Sequence, residues 1–236
     1  DLPTPADFTA RPLLNAIDGM TKAQTKVSRA AEDIADADQR IFLPATIPAA
    51  LMDDLTERQP LLDFADAQQV TLFRNDLAVV FNYADWGRPD TQAGMKPGDI
   101  AIDTLRQLFF RNRKQKGKSK QRQPAVFMWP PTANPQLVDL MVFFLSMRET
   151  LGFSSEQMWR LPWEQSRLTS THWGRMLDEC LTRHNFAAPG NFKYTAYSTR
   201  KDPATEANAL NVSYSKICHQ GGWADGSNVP RTKYID

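Results

Sequence analysis

Apolar residues recur at helical spacing over residues 65–83, where Val70, Phe73, Leu77, Val80, Phe81 and Ala84 fall on one face, so the pattern predicts a long helix with that side buried. Gly87 is placed to end it and Pro89 prevents its continuation, which sets Arg88 exposed at a helix terminus. A shorter helix is expected over residues 49–57. Asn134 as N-cap, Pro135 in the first turn and Gly152 past the end delimit another, with Leu137, Leu140, Met141, Phe144 and Leu145 as its core stripe. A further helix over residues 170–184 buries Trp173, Met176, Leu177, Cys180 and Leu181. Two short apolar runs joined by a polar stretch predict a β-hairpin over residues 104–129, with Leu105, Leu108, Phe109 and Phe110 on one arm and Val126, Phe127 and Met128 on the other. Asp202 as cap and Pro203 at the first position predict a helix starting there, which leaves Arg200 just ahead of backbone N–H groups that can face an anion. Residues 213–220 form one more short helix, ended by Gly221-Gly222 and followed by Trp223.

The N-terminal stretch is different. Residues 8–36 carry two short helical patterns, Leu13, Leu14, Ile17 and Met20, then Ala30, Ala31 and Ile34. Residues 37–50 lose periodicity and gain Pro44 and Pro48, which places a boundary between an N-terminal helical segment, 1–45, and a main domain, 46–236. The chain reads as α+β, mostly helical, with one small antiparallel sheet.

Charge changes this picture most. Residues 1–100 hold nine lysines and arginines against sixteen acids, a net −7, while residues 101–236 hold nineteen against eleven, a net +8. Seven of the twelve residues from Arg111 to Arg122 are basic and none is acidic: Arg111, Arg113, Lys114, Lys116, Lys118, Lys120 and Arg122. Such a run is either a solvated loop, a localisation signal or a polyanion contact. Without an apolar run near the roughly 18 residues a membrane span needs, and without a signal-peptide pattern, the expectation is a soluble intracellular protein with no membrane partner. Two cysteines, Cys180 and Cys218, give no disulfide framework, and His172, His184 and His219 are read as forming no close-spaced ligand pairs with each other or with the cysteines, so no metal is expected.

The order Arg200, Trp223, Tyr234, with Gly-Gly before the tryptophan, resembles the C-terminal half of the active site of tyrosine recombinases, the phage-integrase superfamily, in its Cre-type form. The block from Ala84 to Ile100, with Arg88 at its turn, is similar to that family's first box, in which an apolar helix ends in a Gly-Leu-Arg-like turn. The resemblance covers roughly residues 65–236 and implies a mostly helical recombinase catalytic domain, with residues 1–45 as a remnant of the helical domain that clamps DNA from the other side. The family fold continues past the nucleophile, so a chain ending two residues after Tyr234 is expected to be trimmed.

The resemblance also implies the chemistry. A tyrosine phenol that stays attached to the phosphate conserves the energy of the broken phosphodiester, and Tyr234 is that nucleophile. Arg88 and Arg200 offset charge on the non-bridging oxygens, Trp223 donates its indole N–H, and a hairpin lysine, Lys116 before Lys114 or Lys118, protonates the leaving 5′ oxygen. No cofactor is needed. The remaining basic hairpin residues contact double-stranded DNA, a homo-oligomer (a tetramer on DNA) is expected, and the chain is DNA-associated, in a nucleus or in cytoplasm. Three departures stand out. Tyr197 replaces the family's histidine, Thr91 replaces the acidic residue that supports the first arginine, and the interval from Trp223 to Tyr234 is about two residues long, absorbed by Asp225-Gly226-Ser227-Asn228. The expected activity is site-specific cutting and rejoining of DNA, as for a mobile element. Alternatives are a DNA-binding protein with the same fold and reduced catalysis, or a nicking-closing enzyme of the type IB topoisomerase kind.

Overall fold

Asp66 opens the central helix. Its side chain accepts from the backbone N–H groups of Gln68 (2.9 Å) and Gln69 (3.1 Å), which otherwise have no intrahelical acceptor. The computed structural model describes residues 41–112, 125–129, 134–153, 156–223 and 226–233, all within one compact unit, Ile41–Asp236. The helical patterns expected over residues 8–36 lie outside the described residues.

In chain order the helices are α1 (Thr46–Arg58), α2 (Ala67–Asp85), α3 (Pro89–Ala93), α4 (Pro135–Thr150), α5 (Ser170–Arg183), α6 (Ser198–Ala209), α7 (Tyr214–Gln220) and α8 (Val229–Lys233). Between α3 and α4 lie β1 (Ile100–Ile102), β2 (Leu108–Asn112) and β3 (Ala125–Trp129), an antiparallel sheet in the order β1-β2-β3. Helix α2 is the axis of the unit: α1, α4, α5 and α6 all pack on it. The fold class expected from the sequence is the one observed, and no helix of the described residues is long and apolar enough to cross a membrane.

The hairpin register pairs Leu108 with Trp129, Phe110 with Phe127 and Asn112 with Ala125. Leu105 is not on the arm; it lies in the tight turn before β2, 69% exposed, where Asp103 caps the backbone N–H groups of Leu105 and Gln107. An aromatic cluster joins the layers. Phe144 stacks on Trp159 at 5.2 Å, and Phe81 and Trp173 meet the same indole at 5.5 and 6.2 Å. Each of these buried side chains contributes roughly 1.5–3 kcal/mol. Trp159 lies in the long connection between α4 and α5, which buried arginines hold from below. Arg74 donates to the Trp159 carbonyl and pairs with Glu164 (2.5 Å), while Arg148 donates to the Met158 carbonyl and lies 4.5 Å over Phe153. Burial lowers the Arg148 pKa to about 10.

Two boundaries differ from the sequence reading, for physical reasons. The residue that leaves α2 in left-handed conformation is Trp86 (φ 55), not Gly87. Gly87 is needed for a different reason: a Cβ there would fall within 2.8 Å of polar atoms of Gln92, Asn82 and Asp85. Helix α6 starts at Ser198 rather than at Pro203, which lies inside it; Arg200 is therefore in the first turn, not ahead of it.

Candidate active site

Helix α2 is buried on every side along its second half, so its polar residues must find partners within the protein. Asp76, fully buried, is gripped by Arg58 from α1 and Arg183 from α5, and lies 3.2 Å from His184 Nε2. Against the expectation from histidine spacing, Asp76, Cys180 and His184 bring ligand-type atoms within 4.8 Å of one another. Cys180 and His184 are one helical turn apart, a spacing that puts them on one face. With a guanidinium on each carboxylate oxygen, however, this cluster is a charge knot tying α1, α2 and α5 together. Burial, and next the Asp76 charge, push the Cys180 thiol up, so it stays a thiol.

One and a half turns further on, Asn82 occupies a central place. Its amide nitrogen donates to the Gly87 carbonyl (3.1 Å), and its oxygen accepts from Trp173 Nε1 (3.3 Å) and from the Thr199 hydroxyl (2.6 Å). One buried amide thus holds the residues that immediately precede Arg88 and Arg200. Arg88 itself is the N-cap of α3, half-buried, and its side chain makes no hydrogen bond or ion pair with the described residues.

Arg200 is 1% exposed. It donates through Nη1 to the Trp86 carbonyl (2.6 Å) and through Nη2 to the Gly221 carbonyl, and its guanidinium carbon lies 4.1 Å over the Trp223 ring. Both carbonyls belong to turns, one leading to Arg88 and the other to Trp223. Arg200 therefore fastens the turn carrying the first arginine to the turn carrying the tryptophan. Trp223, 6% exposed, sits with Ala204, Ile217 and Cys218 in a small second core. Gly221 makes room for it, since a Cβ there would lie within 2.5 Å of three atoms of the indole.

Asp85 lies next to this junction, 2% exposed, accepting a hydrogen bond from Gln92 of α3. Burial pushes its carboxyl well above the usual carboxylate range, against the opposing pull of the Arg200 charge and the Gln92 hydrogen bond. Thr91, which stands where the resemblance leads one to expect an acidic residue, is buried in α3. A carboxyl group is present at the junction after all, supplied from three residues before Arg88 rather than three after.

Of the residues expected from the sequence, Arg200 and Trp223 are in contact, and the turn that leads to Arg88 is joined to them through the Trp86 carbonyl. Tyr197 is the N-cap residue of α6, 44% exposed, three residues before Arg200. Tyr234 and Lys116 lie outside the described residues, as do Arg113, Lys114, Lys118, Lys120 and Arg122, together with the side chain of Arg111; helix α8 runs to Lys233, the residue before Tyr234. Asn82, Asp85 and Gln92 do not stand out in the sequence, where they look like the polar face of an amphipathic helix and a loop residue.

This is the fold of the tyrosine recombinase catalytic domain. Superposition matches XerH site-specific recombinase bound to difH substrate in a pre-cleavage complex (TM-score 0.58, 13% identity, 82% of this chain and 49% of that one). It also matches XerA recombinase (0.58, 12% identity, 84% and 61%) and a lambda integrase dimer bound to a COC′ core site (0.52, 17% identity, 84% and 60%). The chain spans about half to three-fifths of the length of these proteins. No family model matches the sequence, and no curated protein matches it.

Proposed function

We propose that the chain is the catalytic part of a DNA strand transferase of the tyrosine recombinase superfamily, with residues 46–236 as the catalytic domain and residues 1–45 as part of a DNA-clamping helical segment. The observation that carries this reading is the Arg200 junction, which ties the Arg88 turn to the Trp223 turn within a fold shared with site-specific recombinases. In the reaction, the Tyr234 phenol oxygen bonds to phosphorus as the bond to the 5′ oxygen breaks. The phenol loses its proton, and the departing 5′ oxygen takes one from Lys116. Arg88 and Arg200 balance the charge growing on the non-bridging oxygens, and the indole N–H of Trp223 adds a donor. A free 5′ hydroxyl then attacks the phosphotyrosine, reversing the chemistry on the same or another duplex. Tyr197 can donate or accept a hydrogen bond near the nucleophile but is a poor base at neutral pH. The basic hairpin from Arg111 to Arg122 tracks the phosphate backbone, so binding weakens steeply with salt. Lambda integrase has been seen as a tetramer bound to a Holliday junction, which supports oligomer formation on DNA here too.

A second reading has its own observation. Arg200 is almost wholly buried and both of its Nη groups donate to carbonyls, an arrangement suited to a structural clamp in a DNA-binding protein with reduced catalysis. A nicked suicide duplex separates the two. A covalent protein–DNA adduct that disappears in Tyr234→Phe supports the transferase; salt-sensitive binding with no adduct supports the clamp.

A further inference from the structure

We propose that Asp85 is a positioning residue that works as a neutral carboxylic acid: it pairs head-on with the Gln92 carboxamide and so leaves the charge of the neighbouring Arg200 guanidinium undiminished. This goes beyond the strand-transfer reading and rests on it only for the use made of Arg200.

The geometry comes first. Asp85 is 2% exposed and Gln92 0%, so neither polar head reaches water. Gln92 Nε2 donates to Asp85 Oδ2, which leaves Asp85 Oδ1 and Gln92 Oε1 as buried oxygens without a hydrogen bond among the described residues. Both orphaned oxygens belong to the same contacting pair. A proton on Oδ1 satisfies both atoms at once, because a carboxylic acid offers one donor and one acceptor to an amide that offers the same. An ionised Asp85 would instead be a fully buried charge with a single neutral donor and no ion pair among the described residues, the costliest arrangement for a carboxylate.

The surroundings agree. Arg200 on α6 is the charged group that acts on Asp85, Gln92 comes from α3, and Asn82 and Gly87 close the remaining side of the turn with uncharged groups. The pull of Arg200 toward the ionised form is outweighed by burial. The consequence reaches the Arg200 junction: a carboxylate here would cancel charge that an incoming phosphate needs, whereas the acid braces the turn that carries Arg88 without doing so. Gly87 completes the device, since any Cβ there would wedge between Asp85 and Gln92.

The test begins on the DNA-free full chain. The side-chain carboxyl carbon of Asp85 is followed by NMR in aspartate-labelled protein, with the resonance assigned through Asp85→Asn and, independently, by its contacts to Gln92 in the unmutated chain. A signal at the protonated position at neutral pH, moving only on alkalinisation, supports the proposal; one already at the ionised position overturns it. A second arm measures binding to a DNA duplex against pH. Unmutated protein should weaken as Asp85 ionises, and Asp85→Asn, whose amide mimics the acid toward Gln92, should be free of that weakening. A tenfold loss of binding in Asp85→Asn at neutral pH, the equivalent of about one pKa unit of coupling, would show that the negative charge is what the site uses and would overturn the proposal. If the unmutated chain binds no DNA, the strand-transfer reading fails while the carbon resonance still decides the state of Asp85.

Discussion

Replacing Gly221 by alanine probes the junction through a single methyl group. The backbone at Gly221 (φ −76, ψ 0) is one that alanine adopts without strain, and on backbone entropy alone the change would stabilise slightly. Packing decides otherwise. The new Cβ would lie within 2.5 Å of three indole atoms of Trp223, where ordinary contact is about 3.5–4 Å, so the ring must retreat by about 1 Å or more. The ring is 6% exposed and lies under Arg200, so its retreat strains the small second core and loosens the guanidinium stack. Overpacking of this kind costs about 1–3 kcal/mol and the disrupted cation–π stack about 0.5–2, so Gly221→Ala should destabilise by about 1.5–5 kcal/mol. Urea unfolding of Gly221→Ala, Trp223→Ala and the double variant tests the mechanism. Trp223→Ala should cost about 3–5 kcal/mol by itself, and once the ring is gone the alanine at 221 should cost under about 1 kcal/mol. Additive costs, or a Gly221→Ala variant as stable as the unmutated protein, would mean that the indole does not occupy the space a Cβ at 221 would take.

Asp76→Ala should destabilise by about 3 kcal/mol, the lower end of the range for breaking a buried pair, because the Arg58 and Arg183 side chains left behind are 31% and 27% exposed and can reach water; chemical denaturation reads this directly. Asp85 makes stability depend on pH with a definite sign. Its folded pKa lies above its unfolded one, so the folded state holds a proton that the unfolded chain releases above the usual carboxylate range. Stability from this group therefore falls as pH rises, by about 1.4 kcal/mol per unit until the folded pKa is passed, and Tm measured against pH should fall less in Asp85→Asn. Neutralising Lys114, Lys118 and Lys120 to glutamine should lower the slope of log affinity against log salt by about 0.9 for each phosphate that these lysines neutralise, measured by fluorescence anisotropy on duplex DNA; an unchanged slope would place the DNA elsewhere.

How far the sequence can be read depends on what the signal is. Helix α4 is legible to the residue, because Asn134 caps it and Pro135 opens it. The stripe of α5 is equally plain, since one face is apolar and the other charged. Periodicity fails on α2 in an instructive way. It places Val70, Phe73, Leu77 and Phe81 in the core, but from Phe73 to Asn82 the helix is buried all round, and Arg74, Asp76, Asn82 and Asp85 are core residues of another kind, several of them satisfied by partners 100 or so positions away. Local pattern cannot show such pairings, because each partner lies on an element that packs there only in the finished fold. The same holds for Arg200. Its motif singles the residue out, but the helix start is misread: Tyr197 and Ser198 open the helix ahead of Arg200, and the proline that looks like a start is tolerated inside α6. At the end of α2, the glycine looks like a conformational device when its role is to leave space under Asn82, Asp85 and Gln92.

If this junction serves a phosphate at which Tyr234 reacts, the chain will trap a DNA strand covalently. The direct measurement is intact-mass analysis of the chain after incubation with a nicked suicide duplex carrying its cognate site, recovered from the DNA flanking its gene. The expected result is a mass increase equal to the trapped strand, located by peptide mapping on Tyr234 and absent from Tyr234→Phe and Arg88→Ala. Tight, salt-sensitive binding of the same duplex with no mass increase would contradict it.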